Sequence, residues 1–451
     1  MVSQETAELI KWDQEHIMHP AWKIGQELMG VVFEKGHGVF IQDIDGKEYL
    51  DAGSQLVSNN LGHGRMEIID AAIEQARKLQ FATVFAGWTH KTIIKCAQKL
   101  AEVTPPGLDH FMFVSGGSES VELSVQLARV YWQIRGKKNC KIISLYNAYH
   151  GASIGSATLT GLSPEFWENI GPMAQDIIHI PNYYCYRCPF GLEYPTCSIQ
   201  CAHFLEQTIK SEGAESVAAF LAEPIQGSGG CISPPPEYWP MVRKICTENN
   251  VLLIGDEVMS GFARSGKLFA LQHWNVVPDI MAMAKGITGC YFPFGAVAVN
   301  DKVWEGLQGY RAHGFTWSGN PIGAAAAIAA IDIYVKEKVA DNVAKVGQHL
   351  EERFEVEFAP LPCVGTLKGM GLLRSIEIVK DKATKALFHP SLNMLEKIKA
   401  KALDNGLFLR VGANRNIWIS PPCIITIEEM DKLLDTLYSI LANIGPNSIE
   451  V

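Results

Sequence analysis

Between about residues 65 and 320 the chain repeats one pattern: a short apolar run, a polar residue at its end, then a stretch with helical periodicity. The runs read HFMFVS, KIISLY, VAAFLAE, VLLIGDEV, DIMAMA and FGAVAV. Runs this apolar are buried on both faces, and strands that alternate with helices are joined by crossovers. The pattern predicts an α/β fold with a mostly parallel sheet covered by helices on both sides. In such sheets ligands bind beyond the carboxyl ends of the strands. Functional residues should therefore stand where these runs end.

The flanks differ. Residues 31–50, VVFEKGHGVFIQDIDGKEYL, alternate apolar and polar around turn signals at Gly36 to Gly38 and at Asp45-Gly46, which predicts antiparallel strands. The final part mixes helical segments (NVAKVGQHLEERFEVEF, LNMLEKIKAKALDNG, EEMDKLLDTLYSIL) with strands near GLLRSIEIV and NIWISPP, the pattern of a smaller α+β domain. The expected division is residues 1–64 for the N-terminal part of a small domain, 65–329 for a large domain and 330–451 for the C-terminal small domain. No internal repeat or low-complexity segment interrupts it.

Composition narrows the function classes. A net charge of −9 argues against a nucleic-acid footprint or a polybasic membrane anchor. The N-terminus, MVSQETAELIKWDQEH, has no basic region followed by an apolar one, so no secretory signal is expected. The most apolar helical window, IGAAAAIAAIDIYV, is too short to span a bilayer. A cytoplasmic protein is expected, and 11 mostly scattered cysteines suit a reducing compartment. Four of them stand close together in NYYCYRCPFGLEYPTCSIQCAHF. Cys185, Cys188, Cys197 and Cys201 admit a four-thiolate zinc site, but the second spacing is loose and the loop between the pairs is short. Free thiols in a surface insertion are the expectation, with no metal.

The strand ends carry the chemistry. Lys285 follows DIMAMA directly, where burying an unpaired ammonium is expensive. It is a chance edge residue, or something in the interior needs an amine. After HFMFVS come Gly116, Gly117 and Ser118, and a helix opens at once. Glycines let a backbone approach an anion, and a helix N-terminus supplies free N–H groups and a favourable dipole. The same string also describes a Ser-capped helix after a tight turn.

VLLIGDEV ends in Asp256 and Glu257, which reads as a structural ion pair or as a functional acid. It also resembles the magnesium strand of a P-loop NTPase, but that reading requires G-x-x-x-x-G-K-[ST] upstream, and the chain has no such string. Tyr149 and His150 follow KIISLY, and Glu223 ends VAAFLAE; loop-edge aromatics and capping glutamates are common. Singly each feature is weak. Together they supply a phosphate cradle, a planar side chain able to stack, a buried acid and an amine at the strand ends of one sheet. That set fits pyridoxal phosphate, whose aldehyde needs a lysine, whose ring nitrogen needs an anion and whose phosphate needs N–H donors. Lys285 lies 29 residues after Asp256, one strand-helix-strand step later, so both can reach one ring.

The motifs SGGSES, YHG, AEPIQGSGG, LLIGDEVMSGFARSGKLFA, AKGITG and HGFTWSGNP occur in an order that resembles the class III aminotransferases, which have the aspartate-aminotransferase fold, fold type I of the pyridoxal-phosphate enzymes. The resemblance runs from DIDGKEYLDAGSQLVSNNLGHG to ISPPCIIT and is nearest the omega-amino-acid and amine:pyruvate aminotransferases. It implies that Lys285 is the Schiff-base lysine and Asp256 the pyridinium partner. Val258 and Tyr149 would sandwich the ring, with His150 and Glu223 also at the cofactor. Gly116, Gly117 and Ser118 would hold the phosphate, helped by Thr316 from the neighbouring subunit of a homodimer or dimer of dimers.

Departures from the family pattern bear on the substrate. Trp418 stands where an arginine often grips an alpha-carboxylate, and an indole cannot form that bidentate pair. Arg410, also readable as a surface arginine, matches the mobile arginine of amine:pyruvate relatives, with Arg415 a nearby competitor. Val57 replaces a tryptophan common in amine transaminases, and Ser115-Gly116 replaces an Asn-Ser pair at the phosphate loop. The activity implied is transfer of an amino group from an omega-amino acid, a taurine-like sulfonate or an amine to pyruvate or a similar keto acid. A racemase, phospho-lyase or decarboxylase on the same scaffold would need the same Lys285 and Asp256.

Overall fold

The computed structural model describes residues 3–138, 140–162, 170–171, 173–412, 415–445 and 447–448. The N-terminal alternation forms an antiparallel meander of β1 (Phe33–His37), β2 (Phe40–Asp43) and β3 (Glu48–Asp51). The repeated apolar runs form a seven-stranded sheet. Its strands are β4 (His110–Val114), β5 (Lys141–Leu145), β6 (Ile177–Ile180), β7 (Val217–Ala222), β8 (Leu252–Asp256), β9 (Ile280–Met283) and β10 (Gly295–Val299). They are ordered β4-β10-β9-β8-β7-β5-β6, parallel from β9 to β6, with β10 antiparallel to both its neighbours.

Every residue of β7, β8, β9 and β10 is buried, so these strands show no alternation; both faces are covered. The edge strand β6 was not among the six apolar runs. Three of its four residues are only half-buried, and its sequence, IIHI, is short and interrupted by a histidine, so it does not stand out as an apolar run. The expected helix between β8 and β9 is reduced to a five-residue 3₁₀ turn, Ala270–Trp274. The rest of that connection turns back on itself around Arg264.

The C-terminal part contributes β11 (Val364–Met370), β12 (Leu373–Ile378), β13 (Leu407–Phe408), β14 (Arg410–Gly412) and β15 (Asn416–Ile419). Four of these form an antiparallel sheet in the order β11-β12-β15-β14. The two-residue β13 instead pairs in parallel with β3, so the N-terminal meander is completed by residues from near the other end of the chain. The helices Val339–Arg353, Met394–Asp404 and Ile427–Leu441 match the three C-terminal helical segments expected. No helix among the described residues is long and apolar enough to cross a membrane.

Two contacts fix the parts that shape the site. The helix Gly117–Ile134 is pinned at its start by Ser120, whose Oγ donates to the Ala296 carbonyl at 2.9 Å and accepts from the Met283 N–H at 3.1 Å. The turn before that helix is therefore held beside the ends of β9 and β10. The second contact is Arg264, which has no measurable exposure. Its Nη1 donates to the carbonyls of Pro421 at 2.5 Å, Leu372 at 3.3 Å and Ser420 at 3.3 Å. Its Nη2 donates to Asn60 Oδ1 at 2.7 Å and Ser54 Oγ at 3.1 Å. One side chain thus ties the connection after β8 to both the N-terminal and C-terminal parts.

A buried acceptor stripped of its donor costs about 1–3 kcal/mol, and several would be stripped at once. Arg264→Leu should lower stability by roughly 3 kcal/mol or more, read as a fall in the urea midpoint, with Arg264→Lys recovering part of it. An unchanged midpoint in Arg264→Leu would show that these parts are held together elsewhere.

Candidate active site

The carboxyl ends of β4, β5, β7, β8 and β9 open onto one cavity of about 280 Å³. Of the residues singled out from the sequence, Gly116, Gly117, Ser118, Tyr149, His150, Glu223, Asp256, Val258 and Lys285 all line it. The parallel strands end at one edge of the sheet, which is why residues spread over some 170 positions converge. Four residues lie outside it. Thr316 is exposed on the segment after residue 307. Val57 packs in an apolar cluster with Trp418, Met259 and Cys231. Arg410 lines a neighbouring cavity of about 480 Å³, together with Trp22, Leu56 and Phe408.

At the floor of the cavity, Asp256 is 3% exposed. Its Oδ1 accepts from the Val258 N–H at 3.0 Å, and its Oδ2 lies 2.7 Å from Nδ1 of the buried His150. His150 Nε2 is buried without a partner. The carboxylate is thus oriented from below, and its side toward the cavity faces the space that a ring would fill. Beside it, Glu223 accepts from the Tyr149 N–H at 3.0 Å and the Gly227 N–H at 2.9 Å. Burial raises the Glu223 carboxyl to about 7, with the charge of Asp256 adding to the effect. Glu257, one residue beyond Asp256, points away from the cavity. It accepts from Ser260 Oγ and from the Leu271 N–H at 2.9 Å, and so braces the turn after β8.

Lys285 does not share the complete burial of the strand before it; it is half-buried, at the cavity wall. Its φ of 42° lies in the left-handed region, unfavourable for a side chain with a Cβ, and its side chain lines the cavity. Burial and then the positive charge of Arg410 lower the amine to about 8.

At the opposite end, the helix Gly117–Ile134 begins without any side-chain cap. Its first-turn N–H groups and dipole are therefore directed at the cavity. A Cβ on Gly117 would lie 2.9 Å from Val258 Cγ1, so a glycine lets this turn close over the valine. A Cβ on Gly151 would lie 2.5 Å from Ser118 Oγ and 2.3 Å from Ser156 Oγ, which keeps the serine accessible. Ser118 Oγ accepts from the Ala152 N–H at 3.2 Å.

The donor set fits pyridoxal phosphate: uncapped N–H groups and a serine at one end, a carboxylate held by histidine at the other, and an amine with lowered pKa at the wall. Sequence reading missed Met259, Cys290 and the run Phe292 to Phe294, which also line the cavity. The only signal for them was adjacency to the DEV and AKGITG motifs. It also left the His150–Asp256 contact unforeseen, since these residues lie 106 positions apart.

The four clustered cysteines surround a cavity of about 20 Å³ and are unpaired, with Cys201 pushed up to about 12 by burial. Among the described residues, one group brings three metal-ligating side chains within 4.8 Å: Asp109, His110 and Asp301, at the far end of β4 from the site.

Comparison with known proteins agrees with this geometry. The family described as "Aminotransferase class-III" matches residues 23–441. The putrescine–pyruvate aminotransferase of Pseudomonas aeruginosa is 36% identical over 408 residues, covering 89% of this chain and 88% of that protein. The adenosylmethionine-8-amino-7-oxononanoate aminotransferase of Geobacter sulfurreducens is 36% identical over 97% of this chain and 98% of its own length. Among solved structures, an (S)-enantioselective omega-transaminase from Thermomicrobium roseum superposes with a TM-score of 0.92 at 37% identity, covering 98% of this chain and 99% of that one. With a cavity fitted to pyridoxal phosphate and relatives matched along nearly its whole length, the chain belongs to the class III aminotransferases.

Proposed function

We propose that this enzyme moves an amino group from an amine, an omega-amino acid or a taurine-like donor to pyruvate or a similar short keto acid. The observation that carries this reading is the state of Arg410. The side chain stands near enough to Lys285 to depress its amine, and it also acts on Tyr149. Among the described residues no acidic side chain pairs with it; its close partner is the ring of Trp418, 4.9 Å from the guanidinium carbon. The competitor Arg415 is already engaged, with its Nε 3.7 Å from Glu377 Oε1. A largely enclosed guanidinium without an acid beside it is suited to an incoming carboxylate. The neighbouring 480 Å³ cavity that Arg410 lines gives it room to withdraw when the substrate carries no charge.

Pyridoxal phosphate, when bound, supplies an electron-withdrawing ring that lets a proton leave the carbon bearing the amino group. The chain's residues do the rest. Asp256, fixed by His150 and the Val258 N–H, holds the proton on the ring nitrogen. Val258 and Tyr149, which both line the cavity, would confine the ring. The uncapped N–H groups at Gly117 and Ser118, with the serine hydroxyl, anchor the phosphate. The Lys285 amine would hold the cofactor through its aldehyde, with loss of water, and as a free amine would carry a proton between the substrate carbon and the carbon next to its nitrogen. Its lowered pKa leaves part of it neutral near pH 7, as both tasks require.

The same reading includes a homodimer. Thr316 is exposed and belongs to a face rich in uncovered aromatics, with Trp88 72% and Trp317 57% exposed and Phe81 set against Trp317 at 5.7 Å. A second copy of the chain would cover this face and bring its Thr316 to the neighbour's phosphate end.

Three outcomes follow. Uptake of pyridoxal phosphate by the apoenzyme needs the neutral lysine. Its rate should rise with pH through about 8 and level off above, followed by the change in cofactor absorbance. A profile still climbing beyond the ordinary lysine range would remove Lys285 from the role. Arg410→Ala should reduce kcat/KM for pyruvate roughly ten- to a hundredfold, the worth of a charge-assisted hydrogen bond of ~1.5–3 kcal/mol, while the half-reaction with a simple alkyl amine changes little. Equal losses on both sides, or an effect confined to Arg415→Ala, would contradict the assignment. Finally, Lys285→Ala and Thr316→Asp chains, each inactive alone, should regain activity when mixed, because one hybrid site keeps both residues. No recovery after demonstrated subunit exchange would argue against shared sites.

A further inference from the structure

We propose that Trp418 is a positioning residue: its indole holds the Arg410 guanidinium at the site as an unneutralised cation and so determines how strongly the enzyme takes carboxylate-bearing substrates. This inference rests on the reading of Arg410 given above.

Arg410 and Trp418 are directly opposite residues of the antiparallel pair β14–β15. Directly opposed side chains leave a sheet on the same face and touch. The guanidinium carbon lies 4.9 Å from the centre of the ring, within the range of a cation–π contact. The ring itself has little freedom. Trp418 is 4% exposed and packs in the cluster containing Val57, Cys231, Met259 and Leu373. It also lies across β14: a Cβ on Gly412 would come within 2.2 Å of its Cη2 and 2.3 Å of Cζ3. A glycine two residues from Arg410 thus clears the path along which the indole reaches the arginine.

The groups around Arg410 explain why a ring serves better than an acid. Burial pushes the guanidinium down from its ordinary value, and the groups that favour its charge are a thiol, Cys231, and a phenol, Tyr149. The acids nearby are committed elsewhere. Asp256 is held by His150, and Glu223 accepts backbone N–H groups. Glu377 is held by Tyr184, Arg187 and Lys368. A carboxylate at position 418 would fix Arg410 equally well but would cancel the charge that an acceptor needs. Trp418 orders the cation through its quadrupole and leaves the N–H donors free for a bidentate contact with a substrate carboxylate. It also lets go at modest cost, as a side chain that must withdraw for uncharged amines requires.

The test uses the holoenzyme and two readouts: the dissociation constant of propionate, a carboxylate without a carbonyl, by calorimetry, and the rate of the alkyl-amine half-reaction. Trp418→Leu should weaken propionate about five- to thirtyfold and leave the amine half-reaction near that of the parent. Trp418→Phe should recover most of the affinity. In an Arg410→Ala background Trp418→Leu should have no further effect on propionate. If Trp418→Leu proves unstable, fluorinated tryptophans placed at 418 keep the shape and weaken the ring face, and affinity should fall with each added fluorine. Unchanged propionate binding in Trp418→Leu or across the fluorinated series, with Arg410→Ala still weak, overturns the role of Trp418 alone. Unchanged binding in Arg410→Ala overturns the underlying reading of Arg410. A loss in the amine half-reaction equal to that for propionate marks a general packing role and also overturns the proposal.

Discussion

A buried guanidinium with no acid beside it among the described residues decides how the parts of this chain meet. The two terminal nitrogens of Arg264 donate to three carbonyls, an amide oxygen and a hydroxyl that come from the N-terminal loop at Ser54 and Asn60 and from the C-terminal segments at Leu372 and Ser420-Pro421, while its Nε is buried without a partner. A charge taken out of water must find all its partners at once, or the fold loses several kcal/mol. The consequence reaches the site. Asn60 Nδ2 donates to the Phe262 carbonyl at 2.8 Å, and a Cβ on Gly286 would meet that same Nδ2 at 2.7 Å. The residue following Lys285 is thus packed against the loop that Arg264 holds, and the position of the lysine depends on the meeting of three distant segments.

Around the cavity, groups of like charge are held in unlike surroundings. Asp256 and Glu223 both stand at strand ends, yet their surroundings differ. The first is held by an imidazole, while the second accepts only N–H groups and is raised to about 7 by burial. Two acids side by side are tolerable because one of them need not be charged at neutral pH. Lys285, lowered to about 8, is likewise held near its transition, partly by Arg410. A site whose amine and second acid both sit near neutrality can change protonation state with little work.

The sheet and its strand ends were legible in the sequence because β7 to β10 are buried on both faces and appear as unbroken apolar runs, each ending in a polar residue. The C-terminal helices were legible from their periodicity. What sequence could not show depends on contacts between remote positions. The pairing of Phe408 with Asp51 crosses most of the chain and leaves no local mark. The His150–Asp256 contact spans two strand ends, and a histidine in a loop carries no sign of its partner. Trp418 illustrates the limit most clearly. Read along the chain, it marked a missing arginine; read across the β14–β15 register, it faces the arginine that is present.

The handling of cations connects these observations. Glu377, buried, gathers Lys368 at 3.1 Å, Arg187 at 2.6 Å and, more distantly, Arg415 at 3.7 Å, and the Tyr184 hydroxyl also donates to it. Burial alone would raise this carboxyl, but its partners outweigh that and leave it lowered. One acid thus fixes the cysteine-bearing loop of Tyr184 and Arg187 to β12 and uses up the positive charge in that region. Arg264 is held by neutral acceptors and Arg410 by a neutral ring. Of these arginines, Arg410 borders a cavity with the ring of Trp418 beside it and, among the described residues, no acid paired with it. A fold that spends its acids on structural cations and leaves one arginine beside an indole has separated the charge that holds the protein together from the charge that meets a substrate.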